Sequence, residues 1–140
     1  MIEREAASKA LKLASQYPVL TITGPRQSGK TTLCRMIFGD KAYVSLEDVD
    51  ERGFAQSDPR GFLNRFADGA IIDEVQRAPD LLSFIQTIVD ENQKDGFFIL
   101  TGSQQFELLE SISQSLAGRT AMLKLMPFTL TEAYGPDIFN

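Results

Sequence analysis

Gly24-Pro25-Arg26-Gln27-Ser28-Gly29-Lys30-Thr31 is the stretch whose reading decides the fold. It fits G-x-x-x-x-G-K-[ST] without a mismatch. Val19-Leu20-Thr21-Ile22-Thr23 precedes it as a short apolar run of the kind a buried strand makes. A helical pattern over residues 30–38 follows and brings Leu33, Ile37 and Phe38 together. A strand that passes through a glycine-bounded loop into a helix points backbone N–H groups, and the positive end of the helix, at one spot. Gly24 and Gly29 let the chain turn tightly there and keep Cβ atoms out of the way of an anion. Lys30 supplies a point charge for outer phosphates. The Thr31 hydroxyl suits one ligand position on Mg²⁺, an ion that keeps several waters and takes few protein groups. The loop from Gly24 to Thr31, with Thr32 behind it, is therefore the candidate binding site for Mg·ATP.

The rest of the chain repeats the alternation. Short apolar runs recur at Tyr43-Val44, Ala70-Ile71-Ile72, Phe97-Phe98-Ile99-Leu100-Thr101 and Ala121-Met122-Leu123-Lys124-Leu125. Most are continuous, as strands of a parallel sheet buried on both faces are. Helical spacing fills the gaps. Residues 2–16 place Ile2, Ala6, Ala10, Leu13 and Ala14 near one face. Asp58-Pro59 opens a helix with Phe62, Leu63 and Phe66 inward, an acid-then-proline start signal. Pro79-Asp80 opens another carrying Leu81, Leu82, Phe84, Ile85, Ile88 and Val89, with Gly96 past its end. Ser103 precedes the last, with Phe106, Leu109, Ile112 and Leu116. The acidic run Glu47-Asp48-Val49-Asp50-Glu51 reads as a solvated loop. The fold class is α/β, a parallel sheet with right-handed crossovers and helices on both faces.

In such sheets ligands sit outside the carboxyl ends of the strands. Ala70-Ile71-Ile72-Asp73-Glu74 brings two acids to that edge. Alternation along a strand would turn them to opposite sides and give them different tasks: Asp73 toward Mg²⁺, Glu74 toward the attacking water. Thr101-Gly102-Ser103 ends the fourth strand and offers a hydroxyl, with Ser103 either sensing the γ-phosphate or capping the following helix. Arg119, just before the last strand, is a candidate arginine finger toward a neighbouring subunit, which would require self-association. Arg26 and Arg77 read as mostly solvated, and Cys34 as packed rather than reactive.

Composition bounds these readings. The chain has 140 residues, 43% of them hydrophobic, a net charge of −5, a single cysteine and no histidine. That suits one globular domain over residues 1–140. It removes a disulfide framework, Cys/His zinc sites and histidine-activated nucleophiles. An acidic total argues against a surface given over to non-specific DNA binding. No apolar stretch nears the ~20 residues that span a bilayer, and the charged N-terminus is no secretory signal, so a cytoplasmic protein without membrane contact is expected.

The sequence resembles an AAA-type P-loop ATPase, most closely a prokaryotic family with an N-terminal AAA domain and a C-terminal domain of unknown function. The resemblance rests on Thr23 to Thr32, Ile71-Ile72-Asp73-Glu74-Val75-Gln76, Leu100-Thr101-Gly102-Ser103, Leu116-Ala117-Gly118-Arg119 and Pro127-Phe128-Thr129-Leu130-Thr131-Glu132. It implies a three-layer α/β/α sandwich with five parallel strands in the order 5-1-4-3-2. Lys30 and Thr31 become Walker A ligands, Asp73 and Glu74 the Walker B pair, and Ser103 the sensor on the fourth strand. It also implies that a helical lid and the C-terminal domain, with their protein or nucleic-acid target, belong to sequence beyond Asn140. A nucleotide-binding switch or adaptor without significant hydrolysis, and a small-molecule phosphotransferase, are the alternatives on the same superfold.

Overall fold

A computed structural model describes residues 2–25 and 29–126. Arg26, Gln27 and Ser28 of the loop, and the segment Pro127 to Glu132, lie outside the described residues. The elements are α1 (Ile2–Ala14), β1 (Val19–Thr23), α2 (Lys30–Ile37), β2 (Ala42–Ser45), α3 (Val49–Ser57), α4 (Pro59–Asn64), β3 (Ala70–Asp73), a 3-10 turn (Val75–Arg77), α5 (Leu81–Asn92), β4 (Phe98–Gly102), α6 (Phe106–Leu116) and β5 (Thr120–Lys124).

The strands form one sheet in the order β2-β3-β4-β1-β5, which is 5-1-4-3-2 counted from the other edge. Every pairing is parallel. β1, β3 and β4 are buried along their whole lengths, which is why their runs are continuously apolar. Their side chains alternate between two cores. Leu20, Ile22, Ile71 and Ile99 pack with Ala6, Ala10, Leu33 and Cys34 of α1 and α2. Val19, Ala70, Ile72, Phe98 and Leu100 pack on the opposite face with Ala55, Phe62, Leu82, Ile85 and Ile112 of α3 to α6. The three layers follow from that period of two. Edge strand β5 alternates instead: Ala121 and Leu123 are buried, while Met122 and Lys124 are exposed.

Two expectations are corrected. The acidic run is not simply loop, because α3 begins inside it. The Asp48 carboxylate accepts from the backbone N–H groups of Asp50 and Glu51 at 2.9 and 3.2 Å, so it caps the helix. Asp50 and Glu51 then sit in a first turn, where the helix dipole favours acids. Ser103, in turn, does not cap α6, which starts three residues later with Gln105 at its N-cap.

Candidate functional site

β1, β3 and β4 all end at one edge of the sheet, and the chain segments leaving them build the site. Leaving β1, the chain reaches Gly29, which holds φ of 85° and ψ of 17° at the N-cap of α2. A side chain there would meet no neighbour among the described residues, and the left-handed backbone itself calls for glycine. The first turn of α2 contains no acid, and no side chain caps it among the described residues. N–H groups at such a helix start are the kind that an anion can meet.

Lys30 is 3% exposed, and a buried lysine needs partners. Its Nζ donates to Gly24 O at 3.0 Å and Pro25 O at 3.2 Å, and lies 3.8 Å from Glu74 Oε2. Beside it, Thr31 Oγ1 donates to both oxygens of Asp73, at 3.0 and 3.1 Å. The hydroxyl proton is turned to the carboxylate, which leaves the oxygen lone pairs for a cation. Among the described residues no group of three His, Cys, Asp or Glu side chains could hold a metal. A hydroxyl paired with one carboxylate fits Mg²⁺ in its water-rich mode, where substrate phosphates supply further ligands.

Asp73 is 5% exposed and carries more donors than its sequence suggests. Thr101 Oγ1 donates to Oδ1 and Tyr43 Oη donates to Oδ2 at 2.8 Å. Burial, reinforced by that bond to Asp73, pushes the Tyr43 phenol up to about 12. The phenol therefore stays a proton donor at neutral pH.

Glu74 is not the next residue of the strand. β3 ends at Asp73, and Glu74 turns into the left-handed region at φ 60° and ψ 52°. The two acids are separated by this turn rather than by strand alternation. Thr101 makes the turn possible by accepting from the Glu74 backbone N–H at 2.9 Å. Gln76 Nε2 donates to Glu74 Oε1 at 2.6 Å, and the Ser103 N–H donates to Gln76 Oε1 at 3.3 Å. A cavity of about 420 Å³ opens over this group, lined by Gly24, Lys30, Glu47, Glu74, Gln76, Arg77, Ser103 and Gln105. Ser103 Oγ is buried there without a hydrogen-bond partner among the described residues.

The AAA domain family model matches residues 16–134, a span that contains every residue of this site. The chain belongs to the AAA domain family. Uncharacterized proteins of Mycobacterium tuberculosis and Mycobacterium bovis are each 34% identical to it over 131 residues, 92% of this chain and 30% of theirs. This AAA domain thus spans less than a third of the length of those curated relatives. In fold it is similar to the Walker-type ATPase of Pyrococcus abyssi, with a TM-score of 0.61 and 20% identity over 93% of this chain and 55% of that one. It is also similar to AMPPCP-bound DnaA from Aquifex aeolicus, with a TM-score of 0.58 and 19% identity over 89% and 45% of the two chains.

The AAA domain brings Lys30, Thr31, Asp73, Glu74 and Ser103 to one sheet edge. Thr32 is exposed on α2. Arg77 reaches the rim of the cavity and pairs with Glu47 at 3.5 Å, a tie its sequence position does not announce. Arg119 lies at the opposite end of the sheet, where Val19 N donates to its carbonyl. There its guanidinium makes two bonds to Asp90, at 2.7 and 3.0 Å. Cys34 is fully buried, and burial, then the nearby Asp73 charge, pushes its thiol up to about 12. The sequence gives no sign of Tyr43 as a site residue, and Gln76 enters it only within the segment Ile71 to Gln76, with no role assigned. Thr101 was legible only as a member of the fourth strand's polar end. No described helix is long and apolar enough to cross a membrane.

Proposed function

We propose that this AAA domain binds Mg·ATP and hydrolyses it to ADP and phosphate, the turnover being coupled to a conformational change. The observation that carries the reading is the convergence of a buried ammonium and a carboxylate on one cavity, with a hydroxyl–carboxylate pair at the same sheet edge. Lys30 has its charge where phosphate oxygens would replace the Gly24 and Pro25 carbonyls as its acceptors. Thr31 and Asp73 would hold the magnesium ion, which when bound neutralises charge on the β- and γ-phosphate oxygens.

Glu74 faces the same cavity, and among the described residues Oε2 has only the distant Lys30. It accepts a proton from a water that attacks the γ-phosphorus. The bond from that phosphorus to the β–γ bridging oxygen breaks, and ADP leaves with the electron pair. Ser103 Oγ, a hydroxyl with no partner among the described residues, serves a γ-phosphate oxygen or that water. Arg119, tied to Asp90 at the far end of the sheet, lies away from this chain's own cavity, and its proposed role is as a finger toward a neighbouring subunit's phosphates.

The test is phosphate release by the full polypeptide with Glu74→Gln beside wild type. The variant should retain ATP and lose turnover by about a hundredfold or more. Equal rates in the two proteins would leave a nucleotide-binding switch as the better account.

A further inference from the structure

We propose that Gln76 is a positioning residue for Glu74, an amide clamp that ties the carboxylate to the end of β4. This deepens the hydrolytic reading above and rests on it. The clamp is built from three groups that have no freedom to exchange roles. A carboxylate can only accept and a backbone N–H can only donate. The Gln76 amide meets both demands at once: Nε2 donates to Glu74 Oε1 at 2.6 Å while Oε1 accepts from the Ser103 N–H at 3.3 Å. No hydrocarbon side chain can do either, and a carboxylate in its place would confront Glu74 with a like charge.

The surroundings make room for this arrangement. A Cβ at Gly102 would lie 3.1 Å from Gln76 Oε1 and 2.5 Å from Leu108 Cδ2. Glycine at the last position of β4 therefore lets the amide lie against the strand. Glu74 itself needs restraint, because its left-handed backbone is an unfavourable conformation for a side-chain-bearing residue. Thr101 fixes its backbone N–H and Gln76 fixes one carboxylate oxygen. The other oxygen remains toward Lys30 at 3.8 Å and the cavity. Without the clamp the carboxylate is free to close on the ammonium, since unrestrained charged pairs settle near ~2.8 Å. Glu74 would then be turned from the water it must receive.

The experiment is steady-state ATP hydrolysis by the full polypeptide carrying Gln76→Met, which keeps the length of the side chain and removes both hydrogen bonds. We expect kcat to fall about tenfold to a hundredfold with KM for ATP changed by less than about threefold. In a Glu74→Gln background the same substitution should change the residual rate by less than about twofold, because the group it positions is gone. Losses that simply add in that cycle, a loss confined to KM, or an unchanged kcat would each overturn the role of Gln76. If Gln76→Met does not fold, Gln76→Ala carries the same expectations. Wild-type turnover that ignores Glu74→Gln would overturn the hydrolytic reading and this one together; turnover that needs Glu74 but not Gln76 would overturn this one alone.

Discussion

Tyr43 of β2 donates its phenolic hydroxyl to Asp73 Oδ2 of β3 at 2.8 Å, across two neighbouring strands. With Thr31 on both oxygens and Thr101 on Oδ1, three hydroxyls converge on one carboxylate. An ionised carboxylate has about four acceptor positions, so this set fixes Asp73 in rotation as well as in place. Partners of this kind, one bond removed from a metal, tune how well its ligands hold it.

Tyr43→Phe should therefore raise the Mg²⁺ concentration needed for half-maximal ATP binding by about tenfold. It should also lower stability by about 1.5 kcal/mol through the lost bond to a charged group. A Mg²⁺ titration with a fluorescent ATP analogue, beside urea unfolding, checks both. An unshifted Mg²⁺ midpoint would remove Tyr43 from the site.

Thr101 and Ser103 sit two residues apart, yet their hydroxyls should behave oppositely. Thr101→Val removes a donor to Asp73 and the acceptor of the Glu74 N–H, leaving a part-buried amide unmatched, for a loss of about 3 kcal/mol. Ser103→Ala removes a hydroxyl with no partner among the described residues, so stability should stay within about 0.5 kcal/mol. Its effect should fall on phosphate release alone. Thermal unfolding of both variants, with turnover measured in parallel, separates a structural hydroxyl from one reserved for ligand.

The contrast between these two residues shows what was legible beforehand. Parallel pairing and the positions of Lys30, Thr31 and Asp73 follow from local signals: glycine spacing, apolar runs and an acid at a strand end; the strand order follows only from the family resemblance. Tyr43 carries no such signal, because it acts through a partner brought near only by folding, and of the two partners of Gln76 one, the Ser103 N–H, is 27 residues away. Tyr43 is 30 residues from Asp73. Strand alternation does not foresee the Glu74 turn for a similar reason: its backbone N–H is met by a hydroxyl 27 residues away. The start of α3 was hidden because acids that suit a solvated loop also suit a helix's first turn.

Cys34 should resist thiol reagents in the native protein at pH 8 and react only after unfolding. Its thiol is fully buried and pushed from an ordinary 9.0 to about 12, and the thiolate is the reactive form. Because the folded value is the higher one, its linked contribution to stability is complete below pH 9 and is lost as pH rises toward 12. Labelling kinetics with an aromatic disulfide reagent, with and without denaturant, test the first point. Unfolding midpoints between pH 8 and 11 test the second. Rapid labelling of the native state would show that α2 does not bury this residue.

Lys30→Met should uncouple stability from function. The ammonium is held away from water by two backbone carbonyls and a carboxylate 3.8 Å distant, and desolvating such a charge offsets much of what its contacts return. A methionine of similar length fills the space without that penalty. The nucleotide-free variant should unfold no earlier than wild type. ATP should raise the wild-type midpoint, since a ligand bound only by the native state stabilises it by about 2.7 kcal/mol at a hundred times its Kd. The variant should show no such rise, because the charge that meets the phosphates is gone. A nucleotide-free midpoint well below wild type would mean that Lys30 serves the fold; an ATP-dependent rise that survives the substitution would mean that the phosphates bind elsewhere.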